Sequence, residues 1–170
     1  MHTQVGIVMG SRFQWTTMQH TAKLLANLGV ACEARIITAN KNTNRLHEYA
    51  SNAIDRGLEI IIAGSAGLAD IPEILASKTE IPVLSVPIKK QSDKYKNSCD
   101  SGSHNNIGNP VEMLSSGPDG AVNAALVAAR ILANKYPRIN ENLTDYRRQN
   151  KPLEISKYNS NLSHLLINAM

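Results

Sequence analysis

Aromatic residues are scarce in this chain of 170 residues, making up 4% of it with a single Trp and a single Phe. A nucleic-acid surface pairs a basic stripe with several exposed aromatics on which bases stack. A net charge of +4 without those aromatics therefore does not read as a nucleic-acid footprint. The densest basic run, Lys89-Lys90 with Lys94 and Lys96, has only Tyr95 interleaved. It reads as a solvated loop, with a role in holding one anionic small molecule left open. Cysteine is nearly absent too. Cys32 and Cys99 form neither a disulfide framework nor a metal-ligand spacing, so Cys32 is read as core and Cys99 as an incidental loop thiol. No apolar run approaches the roughly 20 residues needed to span a bilayer. The N-terminus lacks the charged-then-apolar layout of a secretory signal, so the expectation is a cytoplasmic protein without a membrane partner.

What the chain does have is an ordinary globular balance, 42% hydrophobic and 19% charged. A core of this size outweighs chain entropy without staples. One domain is expected over residues 1–150, followed by an Asn- and Ser-rich tail extension over 151–170.

Short apolar runs alternate with amphipathic ones. Val5-Gly-Ile-Val-Met9 ends at Gly10-Ser11, and Trp15, Met18, Ala22 and Leu25 then recur at helical spacing until Gly29. Ala31 to Thr38 reads as a second, buried strand. A helix marked by Leu46, Tyr49, Ala50, Ala53 and Ile54 follows it, ending at Gly57. Leu58 to Ala63 and Pro82 to Ile88 supply two more strands around a short helix, Leu68 to Lys78. Pro110 to Leu114 suggests a fifth strand, and Gly120 to Ala133 a helix so rich in alanine that it needs cover on most sides, which a subunit interface would give. A polar helix is expected from Tyr136 to Asn150. Right-handed crossovers turn this alternation into a parallel sheet with helices on both faces, a three-layer α/β/α, flavodoxin-like (Rossmann-like) domain. Ligand contacts in such folds gather at strand C-termini, here Gly10-Ser11, Thr38 to Lys41, and Gly64 to Gly67.

At those strand ends the chain looks familiar. "VGIVMGS" followed by Trp15, "IIAGSAGLADIP", "IPVLSVP" and "GPDGAVNAALVAARILA" occur in order from about Gln4 to about Leu153. Together they resemble the catalytic subunit of aminoimidazole ribonucleotide carboxylase, also called carboxyaminoimidazole ribonucleotide mutase, the PurE family of purine biosynthesis. The resemblance implies a homo-octamer of α/β/α subunits that moves a carboxyl group on a phosphorylated imidazole ribonucleotide, with no metal and no organic cofactor.

The resemblance also exposes departures. The family's first loop reads Gly-Ser-x-Ser-Asp-Trp, its serines and backbone holding phosphate and its aspartate ribose. Here Gly10 and Ser11 remain, while Phe13 replaces the second hydroxyl and Gln14 the carboxylate. The second loop, Ser-Ala-His-Arg-Thr-Pro in the family, carries the histidine that shuttles a proton. This chain has Thr38-Ala39-Asn40-Lys41-Asn42-Thr43. An imidazole titrates near pH 6.5, whereas an amide does not titrate there at all. In the third loop Gly64 and Gly67 persist, with Ser65 at a position the family leaves open, but Asp70 and Glu73 stand for a histidine and a glycine. Ile107 stands where the family has an arginine before Gly108.

The expected site therefore comprises Asn40 and Asp70 at the catalytic positions and Gly10, Ser11, Gln14, Thr38, Lys41, Gly64, Ser65 and Gly67 around the substrate. The expected role is a PurE-like ribonucleotide binder whose carboxyl transfer is altered or lost. A non-catalytic assembly partner and a true mutase with a substitute shuttle, Asp70 or His104, are the alternatives. Trp15 is read as core, and His20 and His47 as surface or capping residues on helices.

Overall fold

The computed structural model describes residues 2–38, 43–66, 71–88 and 108–150. Strands β1 (Val5–Met9), β2 (Cys32–Ile36), β3 (Ile60–Ser65), β4 (Val83–Pro87) and β5 (Val111–Met113) alternate with α1 (Trp15–Asn27), α2 (Thr43–Ser51) and α3 (Ile71–Ala76). Helices α4 (Gly117–Ala133) and α5 (Pro137–Gln149) follow. The strands form one parallel sheet in the order β2-β1-β3-β4-β5. Val5 is paired with Cys32 on one side and Ile60 on the other. The expected fold class is the one observed.

Side-chain alternation along the strands sorts the core into two layers. Val5, Ile7, Met9, Ile60, Ile62, Leu84 and Val86 pack on the side of α1, α4 and α5. Val8, Ile61, Ala63 and Val83 pack on the other, against Leu46, Tyr49, Ala50, Ile71 and Leu75 from α2 and α3. Each fully buried Leu or Ile contributes about 1.5–3 kcal/mol, so both layers stabilise the sheet they cover. A buried bond from the Thr21 hydroxyl to the Ala121 carbonyl, 2.8 Å, ties α1 to α4.

Gly29, at φ 74°, ends α1 as expected, and Val30 N–H returns to the Leu25 carbonyl at 2.9 Å. The helix after β2 is shorter than expected, since α2 closes at Ser51 and turns carry the chain to Gly57. The alanine helix starts earlier than expected, at Gly117, because Ser116 is extended and Pro118 supplies a preset φ in the first turn.

Four expectations need correction. β2 reads as a buried strand in sequence, yet Ala34, Arg35 and Ile36 are exposed, because among the described strands β2 lies at the sheet edge and pairs with β1 alone. Trp15 is 40% exposed rather than core. A 3₁₀ turn over Arg12–Gln14 leads into α1, and Gln14, one turn before buried Met18, takes the inward position instead. Cys32 is half-buried, its thiol pushed above the ordinary value by burial. The alanine face of α4 is covered within the protomer: Ala121, Ala124, Ala125, Ala128 and Ala129 are fully buried in the core layer shared with α1. Cys99, His104 and the tail lie outside the described residues.

Candidate functional site

In a parallel sheet of order 2-1-3-4-5 the connections run in opposite directions from β1 and β3, which opens a crevice beyond the carboxyl ends of these two strands. Gly10 follows β1 and Gly64-Ser65 ends β3, so the first and third motifs meet there.

Gln14 joins them. Its side chain is 3% exposed, and Oε1 accepts the Gly10 N–H at 2.7 Å. A Cβ added at Gly64 would lie 3.2 Å from Gln14 Oε1 and 3.1 Å from Ile88 Cδ1, so a larger residue would crowd the amide. At Gly10 a Cβ would come within 2.9 Å of Ile71 Cδ1. Ile71 and Ile88 thus wall the crevice, a role that apolar residues at the ends of a helix and a strand do not announce in sequence.

The second motif reaches the first through Thr38, whose hydroxyl donates to the Gly10 carbonyl at 3.3 Å, and through Ile37, whose N–H donates to the Met9 carbonyl at 2.7 Å. Ser65 offers its carbonyl to the Ile88 N–H at 2.7 Å. Ser11 is exposed and extended, and its hydroxyl makes no cap bond to the following turn. The structure therefore brings Gly10, Gln14, Thr38 and Gly64 into contact, with Ser11 and Ser65 beside them. Asn40, Lys41, Gly67 and Asp70 lie outside the described residues, as do Asn42 and Ile107.

This arrangement is polar without being ionic. Its described members carry no carboxylate or imidazole, and the groups on offer are backbone N–H, the three hydroxyls of Ser11, Thr38 and Ser65, and one amide. Such a set binds and orients oxygen-rich ligands but does not exchange protons near neutral pH. Among the described residues no group of three or more His, Cys, Asp or Glu is placed to hold a metal ion.

The strongest electrostatic cluster lies elsewhere, on the sheet flank. The Glu33 carboxylate accepts from Tyr49 Oη at 2.9 Å and from Arg35 at 3.1 Å, and pairs closely with Arg56, whose guanidinium also stacks 5.0 Å from the Tyr49 ring. Burial alone would raise the Glu33 pKa, but the bonds from Arg56, Tyr49 and Arg35 outweigh it and hold the carboxyl below the usual range. Burial and the neighbouring Glu33 charge push the Tyr49 phenol well up. An open groove of about 580 Å³ runs between β2 and α2 past Arg35, Arg45, Tyr49 and Arg56. Two of its cations, Arg35 and Arg56, are engaged by Glu33, and the groove lies away from the strand carboxyl ends where ligands gather in this fold. Sequence reading missed this cluster because its members are spread over β2, α2 and the turn after it.

The AIR carboxylase family model matches residues 4–152. The chain is 42% identical over 147 residues to the N5-carboxyaminoimidazole ribonucleotide mutase of Pseudomonas aeruginosa, covering 86% of this chain and 90% of that one. It is 45% identical over 148 residues to the mutase of Pyrococcus abyssi, covering 87% and 84%. In fold it is similar to the crystal structure of a Treponema denticola PurE2 variant, with a TM-score of 0.73 at 23% identity over 97% of this chain and 99% of that one. No helix among the described residues is long and apolar enough to cross a membrane. With the family model matched from before β1 to beyond α5 and relatives 42–45% identical over most of the chain, the chain belongs to the AIR carboxylase, or PurE, family.

Proposed function

We propose that the chain binds a phosphorylated imidazole-type ribonucleotide in the crevice beyond β1 and β3 and that the family's carboxyl transfer is altered or lost in it. Purine biosynthesis is the setting, by kinship with the named mutases. The observation that carries the reading is Asn40, an amide in the place of the family's proton-carrying histidine, within a chain that keeps the family register on both sides of it. Moving a carboxyl group between nitrogen and carbon requires a proton to be taken from the ring and returned, and an amide has no proton to trade near neutral pH. Gln14 supports the same reading, since its Oε1 is committed to Gly10 where relatives place a free carboxylate.

In this reading Gly10, Ser11, Gly64, Ser65 and Gly67 surround phosphate and sugar, and Gln14, Thr38 and Lys41 contact the rest. The same reading gives Asn40 and Asp70 the catalytic positions. The exposed hydroxyl of Ser11 at the start of the first helical turn suits an anion. No cofactor is needed for any of these contacts. The body of the domain is residues 1–150, with 151–170 an appended tail, and the working form is a cytoplasmic homo-octamer. Light scattering on the purified protein tests the last point.

A second reading, a true mutase with Asp70 as shuttle, draws on the 42–45% identity to named mutases. Desolvation lifts a carboxyl pKa by several units in buried sites. Product formation from N5-carboxyaminoimidazole ribonucleotide separates the two, and a thermal shift with the same compound tests binding.

A further inference from the structure

We propose that Gln14 is the specificity-determining donor of the crevice, presenting its amide NH₂ to an acceptor-only oxygen of the ligand, a carboxylate or phosphate oxygen. The inference rests on the ribonucleotide reading above and names the group that the site selects.

The orientation of the amide follows from its one bond. The Gly10 N–H, 2.7 Å away, is a donor and can be met only by the amide oxygen. The NH₂ is then the other end. It donates to no described residue, and it is not among the buried polar atoms left without a partner, which are Glu73 Oε2, Thr79 Oγ1 and Ser85 Oγ. Gln14 as a whole is 3% exposed, and the NH₂ is the end of its amide that no described residue meets. A buried side chain with one end tied to backbone and the other open to the crevice is a fixed donor.

Its freedom to turn is small. Oε1 sits so close to Gly64 that a Cβ there would lie 3.2 Å away, and Ile88 closes the same side. Rotating the amide would set its NH₂ against the Gly10 N–H, donor against donor. A donor held this way loses little entropy when a ligand arrives. It rewards a group that only accepts and gives no preference for sugar hydroxyls, which donate as well. The net effect is a relay: the inward Gly10 N–H is satisfied within the protein, and the amide re-presents a neutral donor one side chain further out.

The test is calorimetric titration of the wild type and of Gln14→Glu with two probes, aminoimidazole ribonucleotide and its ring-carboxylated form. Glu keeps an oxygen for Gly10 but replaces the outward donor with a second acceptor. The expected result is binding weakened about tenfold or more in Gln14→Glu, a loss of 1.4 kcal/mol per factor of ten. Loss with the carboxylated probe alone assigns the acceptor to the carboxylate, and equal loss with both assigns it to phosphate. The deficit relative to wild type should shrink as pH falls through the carboxyl range, because a protonated Glu donates again. An ionised Glu would also repel an anionic probe, so Gln14→Met, neutral and without the donor, should weaken binding as well. Equal or tighter binding by Gln14→Glu, or a pH-independent deficit, overturns the inference while leaving the ribonucleotide reading intact. Failure of the wild type to bind either probe overturns both. Should Gln14→Glu melt below the assay temperature, Gln14→Met also removes the donor, and unchanged binding by that variant overturns the inference.

Discussion

The amide oxygen of Gln14 accepts the Gly10 N–H at 2.7 Å, so the loop that leaves β1 is closed on itself by its own fifth residue. The first consequence concerns stability. Replacing Gln14 with Leu keeps the volume but leaves the Gly10 N–H unpaired in a part-buried place, a cost of about 1–3 kcal/mol. Urea denaturation of Gln14→Leu should show a lower midpoint with unchanged slope.

Tyr49 and Gly6 should be coupled. A Cβ at Gly6 would lie 2.2 Å from Tyr49 Oη but 3.3 Å from Tyr49 Cζ, so the clash is mostly with the hydroxyl. Gly6→Ala should cost about 1–3 kcal/mol in the wild type by overpacking. It should cost clearly less on a Tyr49→Phe background, and a double-mutant cycle reads the difference.

Tyr49→Phe alone should change the acid limb of stability. Glu33 has its carboxyl held below the ordinary 4.5 in the folded state, with the Tyr49 hydroxyl among the causes. A depressed carboxyl contributes stability that is present above its unfolded pKa and lost as pH falls through the folded one. Without the hydroxyl the folded pKa moves up, so the variant should lose less stability between neutral and acid pH than the wild type does. Parallel melts across that range measure it.

Gly120→Ala should be the most damaging single methyl in α4. The added Cβ would fall 1.6 Å from the Ser115 carbonyl oxygen, and backbone cannot swing aside as a side chain can. The helix start must move, at a cost at or above the upper end of about 1–3 kcal/mol. Asn123→Ala on the exposed face of the same helix should stay within about 0.5 kcal/mol.

The buried bond between Thr21 and the Ala121 carbonyl gives a smaller, cleaner test. Thr21→Val removes the donor at nearly constant volume and should destabilise by about 1 kcal/mol.

Sheet and layers were legible because the strand runs are short, apolar and ended by small residues, and because alternation rules leave few topologies. Edge position is missed when the apolar residues from Ala31 to Thr38 are weighed above Glu33 and Arg35, two charges that a strand covered on both faces would not carry; among the described strands β2 pairs with β1 alone. The phase of α1 was misread for a related reason. Hydrophobicity alone places Trp15 inside, whereas the turn over Arg12–Gln14 and the demand of the Gly10 N–H for an acceptor bring Gln14 inward. At the site, glycines and Ser11 were readable from their places after strands. The engagement of Gln14 with Gly10 was not, since a bond within a turn leaves no periodic mark.

The measurement that bears most directly on the proposed function is turnover of N5-carboxyaminoimidazole ribonucleotide by the purified protein, run beside the Pseudomonas aeruginosa mutase, with a thermal shift taken in the same buffer. A ligand at 100 times its dissociation constant should add about 2.7 kcal/mol to the stability of a protein that binds it. A clear shift with product formation far below that of the mutase is expected. Ring-carboxylated product appearing at a rate comparable to the mutase would contradict an altered or lost carboxyl transfer.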